Sequence, residues 1–210
     1  MRISAKLGLT ALVAALLLAA AVGAAGARSL SVSSQTIRAT WSRLEFNEEA
    51  IGLSLRCPVT LEASFHSRTI AKVSRALIGA ITRASFFTER CTGGSFRSKP
   101  PFPWHLTYES FTGTLPNITS VRLLLARFRF LFIIPGLATC EYGTSTDNMI
   151  FSAALNASGE ITSLAPVAGS NRAHKTEPST AFCPNELGIV GAEGVVTALN
   201  STARIRLTLI

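Results

Sequence analysis

Charge is scarce in this chain. Only 15% of its 210 residues are charged, and Asp147 is the sole aspartate. Lysine is equally thin, with Lys6, Lys72, Lys99 and Lys175 set against a much larger arginine complement. No pair of cysteines forms a CxxC motif, and Cys57, Cys91, Cys140 and Cys183 have no histidine within four residues. Close paired metal ligands are therefore missing, and His66, His105 and His174 show no HxH or HExxH spacing. No metal site or cofactor is implied. The chain also lacks a Gly-x-Ser-x-Gly elbow, a P-loop and a glycine-rich dinucleotide turn. A Ser-His-Asp triad would have to recruit Asp147. Carboxylate pairs for glycoside cleavage could be drawn from Glu62, Glu109 or Glu141, with few aromatic platforms to hold a sugar.

What the chain does have is apolar content, 48% of all residues. Much of it lies at the start. Arg2 and Lys6 precede an unbroken apolar stretch from Leu7 to Val22, and Ala25-Gly26-Ala27 supplies a small-x-small cleavage pattern. Residues 1–27 read as a signal peptide, leaving 28–210 as one exported β-rich domain. The rival reading is an uncleaved N-terminal membrane anchor. No later stretch reaches about 18 apolar residues without a charge, Leu123–Leu137 being broken by Arg127 and Arg129. Loss of the leader removes Arg2 and Lys6, so the net charge falls by two, from +8 to +6.

An even number of widely spaced cysteines in an exported chain reads as disulfides. Four cysteines allow three connectivities, of which Cys57–Cys91 with Cys140–Cys183 is favoured, since each bridge then staples one contiguous half.

The remaining pattern is short strands. Val59, Leu61, Ala63 and Phe65 alternate with Thr60, Glu62, Ser64 and His66. Trp104, Leu106 and Tyr108 alternate likewise with His105, Thr107 and Glu109. Ile118–Ile134 reads as one long strand whose Phe128, Phe130 and Phe132 oppose Arg127 and Arg129. Ala153–Ala157 with Ile161–Val167, and Val195–Leu199 with Ile205–Leu209, read as hairpins. Ser67–Ala84 departs from this. Its Ile70, Val73, Leu77, Ile78 and Ile81 recur at helical spacing, which predicts a short helix around 67–84, with a strand pair turning near Ser74-Arg75 as the alternative. The fold expected is mainly β, one antiparallel β-sandwich or irregular β-barrel.

A net positive charge asks for an acidic partner. Nucleic acid is disfavoured, because the phenylalanines interleaved with Arg127 and Arg129 would point into a core. An anionic envelope polymer or membrane surface fits better, bound weakly and in a salt-sensitive way. Asn117, Asn156 and Asn200 head glycosylation sequons.

Three segments together resemble exported proteins of high-GC actinobacteria. They are Cys57-Pro58-Val59-Thr60-Leu61-Glu62-Ala63-Ser64-Phe65-His66-Ser67-Arg68-Thr69-Ile70, Pro103-Trp104-His105 and Gly113-Thr114-Leu115-Pro116-Asn117-Ile118-Thr119. The likeness covers roughly residues 50–145. It implies a bacterial, exported setting, in which the sequons are less used, and it brings no activity. With the strand pattern it singles out Glu62, His66, Arg68 and His105 as candidate binding residues. The function expected is a non-enzymatic envelope-associated or extracellular binding or structural protein. The alternatives are an extracellular hydrolase built on His66, His105, Glu62 or Glu109, and a small apolar-ligand carrier with a hollow barrel.

Overall fold

The strands run in chain order β1 (Ser29–Val32), β2 (Thr36–Glu48), β3 (Leu53–Phe65), β4 (Thr69–Ala71), β5 (Leu77–Phe86), β6 (Ser95–Ser98), β7 (Trp104–Thr114) and β8 (Asn117–Ala126). They continue as β9 (Phe130–Ile134), β10 (Ala138–Tyr142), β11 (Asn148–Leu155), β12 (Ile161–Pro166), β13 (Arg172–His174), β14 (Glu186–Gly191), β15 (Val195–Ala198) and β16 (Leu207–Leu209). This computed structural model describes residues 29–48, 52–176 and 182–210. The leader and anchor readings of residues 1–27 lie outside the described residues. Among the described residues no helix is long and apolar enough to cross a membrane.

Inside and outside follow from period-2 alternation. Leu55, Cys57, Val59, Leu61, Ala63 and Phe65 of β3 are buried, while the residues between them are more exposed. β2 buries Ile37, Ala39 and Trp41, then slips by one at a bulge and buries Leu44 and Phe46. Such a bulge bends a strand and strengthens its twist. The antiparallel order β12-β11-β8-β7-β5-β3-β2 forms one strongly curled sheet. β14 and β15 share the far edge of β2 in one continuous register, Gly188↔Asn47 to Gly191↔Leu44 and then Val195↔Thr40 to Ala198↔Ile37.

The two ends of the curl meet at a narrow seam. Leu164 of β12 and Gly194, just before β15, exchange both backbone hydrogen bonds, at 2.9 and 2.8 Å. The Trp41 indole Nε1 donates to the Leu164 carbonyl at 2.9 Å across this seam, on its buried side. A second stitch is made by buried Asn171. Its side chain accepts from the Ile150 amide at 2.6 Å and donates to the Ile150 carbonyl at 3.0 Å, copying a backbone partner. Its own carbonyl meanwhile accepts from the Ile189 amide. Buried polar groups at a sheet break are thereby paired.

Two three-stranded sheets plug the barrel. β16-β1-β4 closes one end with Leu30, Ile70 and Leu207, and β10-β9-β6 closes the other with Phe96, Phe130 and Phe132. At that second end Phe46, Phe86, Phe96 and Phe130 pack with centroids 4.2–6.4 Å apart. The disulfides Cys57–Cys91 and Cys140–Cys183 lie beside this cluster, and they fit an oxidising compartment. The barrel interior is filled. Two small voids within it measure about 20 and about 30 Å3, each on the order of one water.

Residues 67–84 are not a helix. Ile70 sits in β4 opposite Leu30, and Ile78 and Ile81 point inward from β5. Val73 and Leu77 are 63% and 48% exposed, so the five apolar residues never share one face. The turn between the strands closes through Ala76 N–H to the Val73 carbonyl, with Arg75 at φ 63°. The turn falls where the alternative reading put it, near Ser74-Arg75, but β4 and β5 belong to different sheets and do not pair with each other. Gly79 is required by the close approach of neighbouring β3, since a Cβ on it would lie 2.4 Å from the Ser64 carbonyl oxygen. The expected single strand Ile118–Ile134 is likewise divided. It turns at Arg127, φ 59°, so that β8 serves the barrel and β9 the plug. The terminal hairpin is short, because β16 leaves β15 to pair with β1.

Candidate functional site

From His66 to Leu77 only Ile70 is buried. This strip leaves β3, forms the edge strand β4 and turns into β5 at the barrel end covered by the β1 plug. Between Glu62 and Glu89 the chain has no acidic residue, yet it carries Arg68, Lys72, Arg75 and Arg83. Several bases elsewhere on the surface have a carboxylate partner, although others such as Arg43, Arg97 and Arg122 have none among the described residues. Arg56 meets Glu45 at 2.9 Å, Arg206 meets Glu160 at 3.3 Å, and Lys99 and Arg129 both face Glu141. Arg56 and Ser54, by hydrogen bonding to Glu45, hold that carboxyl below its ordinary pKa. Among the described residues Arg68, Lys72 and Arg75 have no ion-pair partner.

The strip is held firmly from beneath. The Arg68 carbonyl accepts from Val32 N–H at 2.8 Å, and Arg75 N–H donates to the Tyr108 carbonyl at 2.6 Å. The Lys72 ammonium lies 5.4 Å from the Phe111 ring centroid, a cation–π distance. The four residues singled out by sequence separate on this framework. His66 and Arg68 lie in the strip, both exposed. Glu62 is on the outer barrel wall, bound to Arg38 at 3.0 Å and opposite Arg83. His105 stands on the same wall opposite Ala80, which in turn pairs with Ser64, so β5 separates it from the strand leading to His66. Among the described residues no hydrogen bond or ion pair joins any two of the four. Lys72 and Arg75 were missed by sequence reasoning, although the acid-free interval was there to be read.

A second constellation was also missed. The buried Asp147 carboxylate accepts from the Thr144 and His174 amides at 2.8 and 2.9 Å, and from His174 Nδ1 at 2.6 Å. Burial pushes its pKa up, but these hydrogen bonds outweigh it and leave the group below its ordinary value. The ionised carboxylate assigns the His174 proton to Nδ1. Nε2 then faces Glu186 at 3.7 Å, and Glu186 is itself paired with Arg172. In acyl transfer a hydroxyl or thiol nucleophile would stand at that nitrogen. Here a carboxylate does, and all four cysteines are in disulfides. The arrangement ties β13 and the 144–147 turn to β14.

Because the folded pKa of Asp147 is depressed, its contribution is present above the unfolded value and disappears as pH falls through the folded one. Asp147→Asn should therefore cost about 1–3 kcal/mol near neutral pH. That deficit should shrink in acid, as pH falls below the ordinary carboxylate range. Urea unfolding of both proteins at the two pH values tests this, and an equal deficit at both would refute the charged role.

A surface cleft of about 530 Å3 lies elsewhere, between the β7–β8 and β11–β12 turns and β16. Sequon residues Asn117 and Asn156 line it, and the Asn156 side chain is used internally, accepting from Ser158 and Glu160 amides. No protein-family model, curated protein or solved structure matches the chain.

Proposed function

We propose that this is an exported, non-enzymatic protein that binds anionic groups of the cell envelope or its surroundings through the His66–Leu77 strip. The observation that carries this reading is the acid-free run of cations without ion-pair partners on one edge, with Arg68 and Arg75 exposed and Lys72 half-buried. A leader-like N-terminus, two disulfides and the resemblance to exported actinobacterial proteins support the setting. The shared chemistry of the partner is phosphate or carboxylate presented in repeats, which gives weak contacts summed over several cations.

The oxidised exported chain should bind a soluble polyphosphate at low salt and release it as salt rises. Lys72→Glu/Arg75→Glu should weaken that binding about tenfold or more, since near an anionic surface each basic residue contributes roughly 1 kcal/mol. Binding that survives the charge reversal unchanged would refute the reading. So would turnover of a generic ester, peptide or glycoside substrate that disappears in His66→Ala or His105→Ala.

A further inference from the structure

We infer that the turn joining β4 to β5 is a membrane-docking element, seating Val73 and Leu77 in the interface of an anionic bilayer while Arg68, Lys72 and Arg75 engage the lipid head groups. This rests on the anion-binding reading above and names its partner.

A charged polymer has no use for exposed aliphatic side chains, whereas a bilayer interface rewards both features together. Val73 and Leu77 are among the most exposed large apolar residues described, and they flank Ser74 and Arg75 within one turn. Leu77 is held at the end of a sheet row. It opens a cross-strand row with Thr107, Leu124 and Ile150 on the outer wall, where Leu124 is buried apart from the barrel core. The turn needs no ordering on docking, because Arg75 N–H is bonded to Tyr108 and Ile70 is anchored beneath it. A preformed element spends less of its interaction energy on entropy. An irregular turn cannot bring its backbone into hydrocarbon without leaving polar groups unpaired. Only side chains enter, and the protein lies on the membrane by this edge.

Sedimentation with phosphatidylglycerol–phosphatidylcholine vesicles tests the inference, with pure phosphatidylcholine vesicles and soluble polyphosphate as the other arms. The wild-type chain should partition onto the anionic vesicles and not onto the neutral ones. Val73→Ser/Leu77→Ser should weaken that partition about tenfold while leaving polyphosphate binding unchanged. Val73→Trp adds a direct reading. Trp41 and Trp104 are both buried, so a blue shift on adding anionic vesicles reports the new residue. Unchanged vesicle partition in Val73→Ser/Leu77→Ser, with no shift from Val73→Trp, would overturn docking by insertion and leave the anion reading standing. Failure to bind either vesicles or polyphosphate would overturn both. Both variants lie at exposed positions, and thermal unfolding matching the wild type confirms that they fold.

Discussion

Reduction of the two disulfides is expected to unfold this protein in buffer where the oxidised form is fully native. The bridges span sequence separations of 34 and 43 residues. Removing loop closure of that length from the unfolded chain accounts for about 4 kcal/mol per bridge in the chain-entropy picture. Two such terms rival the roughly 5–15 kcal/mol that holds an ordinary domain together. Position strengthens the case. Cys57 and Cys140 are fully buried, Cys57 within β3 of the barrel and Cys140 within β10 of the aromatic plug. Each bridge thus fastens a connecting segment, at Cys91 or Cys183, to a buried strand. Urea unfolding with and without reductant is the measurement. Midpoints that differ by less than about 1 kcal/mol in stability would show that the non-covalent barrel suffices and that the entropic argument fails here.

The second large effect is expected at the seam. Trp41→Ala should cost about 4–5 kcal/mol, because it empties a fully buried site and leaves the Leu164 carbonyl without its indole donor. Gly194 lies flat against that indole. A Cβ there would sit 2.6 Å from the ring, so Gly194→Ala should cost about 1–3 kcal/mol through overpacking. The two changes should not add. With the indole gone the new methyl meets open space, and Gly194→Ala should cost little in the Trp41→Ala background. A double-mutant cycle by urea unfolding decides it. Additive costs would mean that Gly194 matters for some reason other than its contact with Trp41.

Both effects depend on features of very different visibility. The inward rows of β3 and β7 are plain in the sequence, because solvent-facing neighbours such as Thr60, Glu62 and His105 are polar. The turn at 73–76 was hidden, since Val73 and Leu77 are exposed apolar residues that completed a false helical face. The break at Arg127 was hidden for another reason. It takes a left-handed conformation with no glycine or proline to announce it. In the candidate site, His66 and Arg68 were legible beside a strand end. Lys72 and Arg75 were obscured by the helical reading, and Glu62 proved to be one half of an ordinary cross-strand pair with Arg38.

The sequence by itself determined the mainly β class, the inside and outside of the best-patterned strands, and a cation surplus over a run without acids. These are local properties, written in the spacing of neighbouring side chains and in composition. The tertiary structure alone decided where the barrel closes, which cations keep a carboxylate and which are left bare. Those outcomes depend on register between distant segments: Trp41 meets Leu164 across 123 positions, and Asp147 meets His174 across 27. No periodicity carries that information. It arises only when one ladder of backbone hydrogen bonds has set the place of the next.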